Sequence, residues 1–192
     1  FQEKLRAEIQ ASSSSLGSGT GAYDNMSLLN AFIKETLRMY PVGFIPERIA
    51  TCDTVIPLAE EIRTTKGEVI TQIPVRKGQI LNVGIASYQR LDSRWGKDPH
   101  EFRPSRWLDG TVAQGQAVGP YANLLTFLGG PRVCLGWRFA VLEMQVFLAE
   151  LVGKFSFTFP AEGDTIRMRL MGTLSPILPS GEKGAPLCVT RV

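Results

Sequence analysis

The stretch from about Cys134 to Gly153 constrains this chain more than any other. Phe139, Ala140, Val141, Leu142, Met144, Val146, Phe147, Leu148, Ala149, Leu151 and Val152 surround most of a helical circumference. Only Glu143, Glu150 and Lys154 leave a narrow polar stripe. A helix that is apolar on nearly every side has to be buried on most of them. It asks for more covering structure than the rest of a 192-residue chain obviously supplies. The length therefore suits either one ordinary domain or part of a larger one.

The other elements are shorter. Residues 1–10 read as the end of a helix with Leu5 and Ile9 on one face. A run of serines and glycines makes 11–22 a flexible loop. A second long helix is predicted over about 26–40, with Leu29, Phe32, Ile33, Leu37 and Tyr40 at helical spacing and Pro41 as its stop. Asp24, Asn25 or Ser27 can cap it. Between Val42 and Ser87 the residues turn β-branched and are broken by Pro, Gly and Asp. That predicts strands around Ile49, Val55–Ile56, Val69–Ile73 and Gln79–Ala86, with a turn at Arg76-Lys77-Gly78-Gln79. Residues 88–126 read as a packed, aromatic-rich meander. After the apolar helix come strand-like pieces at Phe155–Phe159, Ile166–Leu170 and Leu187–Val192, and a turn at Pro179-Ser180-Gly181. The fold class is α+β, mainly α, with two long helices (about 26–40 and 134–153) and short strands between and after them.

Charge and cysteine content narrow the chemistry. A net charge of +3 gives no case for a nucleic-acid groove. No run approaches the roughly 20 apolar residues that span a bilayer. The three cysteines, Cys52, Cys134 and Cys188, are too few and too far apart for a disulfide framework. With His100 as the single histidine, and no cysteine pair at ligand spacing, zinc is a poor reading.

The segment Phe127-Leu128-Gly129-Gly130-Pro131-Arg132-Val133-Cys134-Leu135-Gly136 puts a cysteine where a loop enters the apolar helix. Free N–H groups at a helix start favour an anion, and Arg132 adds positive charge; both favour a thiolate and so a metal ligand. Gly130 and Gly136 would let a large flat ligand lie against the backbone, and Phe127 offers an aromatic wall. A phosphate loop, a dinucleotide turn and a nucleophile elbow are each excluded by the letters.

This segment resembles the haem-binding loop of the cytochrome P450 family, Phe-x-x-Gly-x-Arg-x-Cys-x-Gly, at every fixed position. Five fixed positions at ~5% each match by chance on the order of once in a few million starting points. A buried cysteine beside a glycine turn is the plainer alternative. Other pieces follow in the family's order. Glu35-Thr36-Leu37-Arg38 resembles its Glu-x-x-Arg helix, although those two residues alone read more readily as an ordinary surface ion pair. Phe102-Arg103-Pro104-Ser105-Arg106-Trp107 resembles its Pro-Glu-Arg-Phe/Trp segment, with Ser105 in place of Glu and Arg106 kept. Pro46-Glu47-Arg48, Trp95-Gly96-Lys97-Asp98-Pro99 and the opening Phe1-Gln2-Glu3-Lys4-Leu5-Arg6 also fit. The resemblance spans essentially the whole chain and is nearest to fungal microsomal members.

The resemblance implies that residues 1–192 are the C-terminal, haem-binding portion of a single larger domain. It implies haem b as cofactor, with Cys134 as proximal iron ligand and catalytic residue. Phe127, Gly130, Arg132, Gly136, Ala140 and Arg48 would bind the cofactor, the arginines through its propionates. Arg48 reads alternatively as a surface charge, and His100 as a solvated loop residue. Glu35, Arg38 and Arg106 would form a structural network that holds the cysteine loop. Val42, Gly43, Phe44 and Ile45, with the hairpin near Leu174-Ser175-Pro176, would line a substrate pocket; both segments read alternatively as plain strand and turn.

The implied activity is insertion of one oxygen atom from O2 into an apolar organic molecule. Electrons would come from NADPH through a cytochrome P450 reductase docked on a basic face around Arg132 and Arg138. The implied location of the full-length protein is the cytosolic face of the endoplasmic reticulum membrane. The family's oxygen-activating helix and membrane anchor have no counterpart in the sequence. The chain alone is therefore expected to be inactive, and the alternative is a truncated remnant that binds haem weakly or not at all.

Overall fold

The computed structural model describes residues 1–12, 19, 21–112, 118–160, 166–171 and 173–192. It divides into two compact units, Phe1–Phe44 with Ile85–Val192, and Ile45–Gly84.

The first unit opens with three helices, α1 (Gln2–Ser12), the short α2 (Gly21–Asp24) and α3 (Ser27–Met39). The loop predicted at 11–22 falls mostly on 13–18 and 20, outside the described residues. The predicted side-chain cap of α3 does not form. Met26 stands at the cap position, and the carboxylate of Glu8 on α1 takes over the task. It accepts the hydroxyl of Ser27 and the backbone N–H groups of Leu28 and Leu29 at 3.0, 2.9 and 3.0 Å. A carboxylate there meets both the orphan donors and the positive end of the helix. Leu29, Ile33 and Leu37 recur on the inner face of α3 and join Leu5 and Ile9 of α1 in the core.

Two short helices, α4 (Ile85–Tyr88) and α5 (Asp92–Trp95), and a 3-10 turn at Pro104–Trp107 punctuate the meander. Ile85 and Ala86 thus open a helix and are not the end of a strand. Their side chains are both buried, a demand that strand and helix periodicities meet equally well over two residues.

The apolar helix, α6, runs Trp137–Lys154, three residues later than the sequence pattern suggests. The N–H of Cys134 is used by the carbonyl of Phe127, and helical bonding begins with Ala140 N–H to Gly136. Its inner stripe is Val141, Gln145, Ala149 and Val152. Gln145 donates to Asn30 Oδ1 at 2.8 Å, which satisfies the one polar group on that stripe. Outside the stripe the expected cover is missing among the described residues. Phe139 and Phe147 are 70% and 59% exposed.

From α6 the chain enters β5 (Phe155–Thr158), paired antiparallel with β8 (Cys188–Arg191). β6 (Arg167–Met171) pairs antiparallel with β7 (Thr173–Ile177). Helix α1 is pinned to this end: Arg6 donates to the carbonyls of Val152 and Phe155, and Gln2 exchanges hydrogen bonds with the backbone of Phe157.

The second unit consists of two antiparallel pairs. β1 (Glu47–Ile49) pairs with β4 (Ile80–Asn82), and β2 (Thr54–Arg63) pairs with β3 (Val69–Val75) across a register shift between Pro57 and Ile62. The predicted turn at Arg76–Gln79 is present, with Gly78 at φ +82° where a side chain would be strained.

Candidate functional site

Two parts of the first unit concentrate the polar chemistry, and α3 joins them. On one face of α3, Glu35 and Arg38 form a two-pronged ion pair, with Nε to Oε2 and Nη2 to Oε1 both 2.9 Å. Both side chains are fully buried, so this is no surface ion pair. Arg106 adds Nε to Glu35 Oε1 at 3.0 Å. The backbone N–H of Arg103 and the indole N–H of Trp107 complete the set at 2.8 and 3.0 Å. The guanidinium groups spend their remaining donors on carbonyls: Arg38 on Gln89, Pro99 and Glu101, Arg106 on Trp95, Asp98 and Glu101. Asp98 lies 3.5 Å from Arg106. Arg38 also stacks on the Trp95 ring, 5.0 Å from its centre. Burial pushes the Glu35 carboxyl up, but the hydrogen bonds and charge of Arg38, Arg103 and Arg106 outweigh it and hold the group below the usual carboxylate range. The fold thus brings Glu35, Arg38 and Arg106 into direct contact and buries all three.

The C-terminal end of α3 carries the second connection. Pro41 ends the helix, leaving its last carbonyls to be satisfied from outside. Gln89 donates to the carbonyls of Leu37 and Arg38 at 3.1 and 2.9 Å, and Arg90 to that of Met39. Thr126 Oγ1 donates to Leu37 at 2.8 Å and lies 3.2 Å from Gln89 Oε1.

Thr126 leads directly into the cysteine loop. Phe127 is core, packed edge-on to Tyr121 at 6.5 Å. Leu128 is held at φ +59°, an unusual conformation for a branched residue. A 3-10 turn at Gly130–Arg132 then swings the chain back so that Cys134 N–H donates to Phe127 at 2.8 Å. Cys134 is exposed and unbridged, and Leu135 beside it is 99% exposed. Arg132 is exposed at the end of the turn, and Ala140 is half-buried in the first turn of α6. Gly130 has φ +64°, and an added Cβ on either Gly130 or Gly136 would meet nothing within 4 Å. Gly119 and Gly129 are different: a Cβ there would lie 1.9 Å from the Leu124 carbonyl oxygen and 2.3 Å from that of Val118. They make the loop close on itself, and Gly130 and Gly136 leave its outer surface open.

The remaining expected residues are more dispersed. Val42 and Gly43 are exposed and Phe44 half-buried, and the Leu174 N–H reaches the Val42 carbonyl at 3.4 Å, which brings the two expected pocket segments side by side. Ile45 and Arg48 belong to the second unit, where Arg48 sits in β1 opposite Leu81 and donates to its neighbour's carbonyl. His100 is exposed. Arg138 stacks on Trp137, 4.3 Å from the ring centre. Beside them a groove of about 390 Å³ includes Tyr121, whose hydroxyl burial and Asp24 push up to about 12.

Sequence reasoning missed Gln89, Thr126, Trp107 and Arg94. Arg94 joins Tyr88 Oη to the carbonyl of Asn123, 2.7 Å from each, and so holds a turn in which Ala122 and Asn123 both have positive φ. Each of the four bonds to carbonyls or to a carboxylate remote in sequence, which no local pattern signals. Trp107 alone had a cue, as an aromatic directly beside Arg106.

The model of the family described as "Cytochrome P450" matches residues 1–181. Cytochrome P450 monooxygenase 91 of Postia placenta is 39% identical over the whole chain, and cytochrome P450 monooxygenase 81 of the same fungus is 35% identical over 97% of it. Cytochrome P450 monooxygenase claO of Ampulloclitocybe clavipes is 34% identical over the whole chain. The chain spans 36%, 34% and 36% of the lengths of these three, about a third of each. With the family model covering nearly all of it and these relatives aligned over at least 97% of it, the chain belongs to the cytochrome P450 family.

Proposed function

We propose that the protein is the C-terminal, haem-binding portion of a monooxygenase that inserts one oxygen atom from O2 into an apolar organic molecule, with Cys134 as the proximal ligand of a haem b iron. The observation that carries this reading is the exposed Cys134 at a loop-to-helix junction, between two glycines with open space beside them. Gly136 has φ −90°, which any residue adopts, and nothing near it excludes a side chain. A glycine without a conformational or packing reason inside the protein fits a surface against which a flat group lies. The donor set fits as well: one thiol, free of disulfides, preceding a helix with no side-chain cap.

Bound haem would supply O2 activation, and electron donation from a thiolate ligand favours O–O cleavage. The chain's own residues would bind and orient it. The Cys134 backbone, tied to Phe127, fixes the direction from which the sulfur approaches. Arg132 and Arg48 would meet the propionates. Phe127, Gly130 and Ala140 would form the protein side of the contact. Val42, Gly43, Phe44 and Ile45, with Leu174 beside Val42, would offer the apolar substrate its wall. Arg132 and Arg138 would form the docking face of an NADPH-dependent reductase, and the full-length protein would act at the cytosolic face of the endoplasmic reticulum. No described helix is long and apolar enough to cross a membrane.

The test is spectroscopic. Purified protein is supplied with haemin, reduced and exposed to carbon monoxide. The expected result is the red-shifted Soret band of a thiolate-ligated iron, lost in Cys134→Ala. Absence of haem uptake, or a band indifferent to Cys134→Ala, overturns the reading.

A further inference from the structure

The connection between α3 and the cysteine loop has a use beyond closing a helix end. We propose that Thr126, supported by Gln89, is a positioning residue that sets the register of the cysteine loop and thereby holds Cys134 where it ligates; this rests on the reading of Cys134 as the iron ligand. Thr126 immediately precedes Phe127, the core residue from which the loop departs. Its single hydroxyl proton goes to the Leu37 carbonyl at 2.8 Å, the shorter contact, and is shared with Gln89 Oε1 at 3.2 Å. The next residue, Phe127, supplies the carbonyl that takes the Cys134 N–H. The sulfur is therefore one residue and one hydrogen bond away from a point fixed on a helix.

That fixed point is rigid for a physical reason. Gln89 is fully buried, and its amide spends both donors on carbonyls of α3. Arg38, on the same turn of helix, is locked by Glu35. The leg beyond Thr126 is the softer part, because Leu128 holds an unfavourable positive φ and the outer surface at Gly130 and Gly136 is open. Without the hydroxyl, the strained residue can relax and carry Phe127 with it. A shift of a few tenths of an ångström at a ligand's support changes ligand strength well before it unfolds anything.

The experiment uses holoprotein with Thr126→Val, Thr126→Ser, Gln89→Met and Cys134→Ser. The readout is the fraction of reduced, carbon monoxide-bound protein that shows the red-shifted thiolate band, beside haem content and thermal unfolding. Thr126→Val keeps the shape of threonine and removes the donor. It is expected to lower the thiolate-band fraction at least twofold at equal haem content. Thr126→Ser is expected to restore it. Gln89→Met removes the partner and is expected to act in the same direction, so the inference stays testable if Thr126→Val does not fold. A wild-type fraction in the folded Thr126 and Gln89 variants overturns the positioning role. If Cys134→Ser also keeps the red-shifted band, the ligand assignment itself fails, and the two failures are thereby distinguished.

Discussion

The indole N–H of Trp107 donates to Oε2 of Glu35 at 3.0 Å, across 72 residues of chain. With it, one buried carboxylate accepts from Arg38 twice and from Arg103, Arg106 and Trp107 once each. Two guanidinium groups face that single carboxylate, and backbone carbonyls of residues 89–101 take up the remaining donors. The network thus fastens the meander to α3 through backbone as much as through charge.

Removing the carboxylate is the severest change. Glu35→Gln removes the one charge that both guanidinium groups face and leaves a single acceptor oxygen, and breaking a buried pair costs about 3–5 kcal/mol. Trp107→Phe removes one hydrogen bond to a charged acceptor and is expected to cost about 1.5–3 kcal/mol. Urea unfolding of both variants checks the order. Equal stabilities would mean that the charge contributes nothing beyond the indole contact.

The same carboxylate predicts an acid-side dependence. Its pKa in the folded protein lies below the ordinary value of 4.5. The folded state therefore binds the proton less readily than the unfolded chain. The resulting stabilisation is fully present above the ordinary value and is lost as pH falls through the depressed one. Glu35→Gln is expected to flatten the fall of Tm on that side. A wild-type slope in the variant would assign the acid sensitivity elsewhere.

How far the sequence reaches can be judged from these residues. Leu5, Ile9, Leu29, Ile33 and Leu37 announce their helices by spacing, and Pro41 announces an end. The cysteine loop is legible because its residues are consecutive. Gln89 and Thr126 are not legible, because they satisfy carbonyls that only the folded helix end exposes. Glu8 was invisible for the same reason: its partners are the N–H groups of Leu28 and Leu29, and any residue there would present them. The start of α6 is not legible, because helical bonding begins only with the Ala140 N–H to Gly136 and no capping side chain marks that boundary.

Glu8 should therefore matter more than a half-exposed glutamate usually does. Glu8→Ala strips the N-terminus of α3 of its cap and is expected to cost about 1–2 kcal/mol. Glu8→Gln keeps an acceptor but loses the charge that suits the helix end, and is expected to recover only part of the loss. Thermal unfolding of the two variants at low and high salt tests this. A Gln variant as stable as wild type would remove the electrostatic share.

The four glycines around the cysteine loop separate packing from ligand binding. Gly129 has an extended backbone open to any residue, yet an added Cβ would meet the Val118 carbonyl oxygen at 2.3 Å. Because the obstacle is backbone, it cannot swing aside, and Gly129→Ala is expected to destabilise the protein by about 1–3 kcal/mol with or without cofactor. Gly136→Ala meets nothing within 4 Å, so the cofactor-free protein should lose less than about 1 kcal/mol, the difference between these residues at a helix cap. If the open side of Gly136 is where haem lies, the same change should weaken haem retention severalfold. Haem transfer to an apo-protein acceptor, measured beside unfolding of the haem-free form, reads the two effects separately. Retention unchanged in Gly136→Ala would move the flat face of the cofactor away from that glycine, and leave Gly130 as the closer of the two.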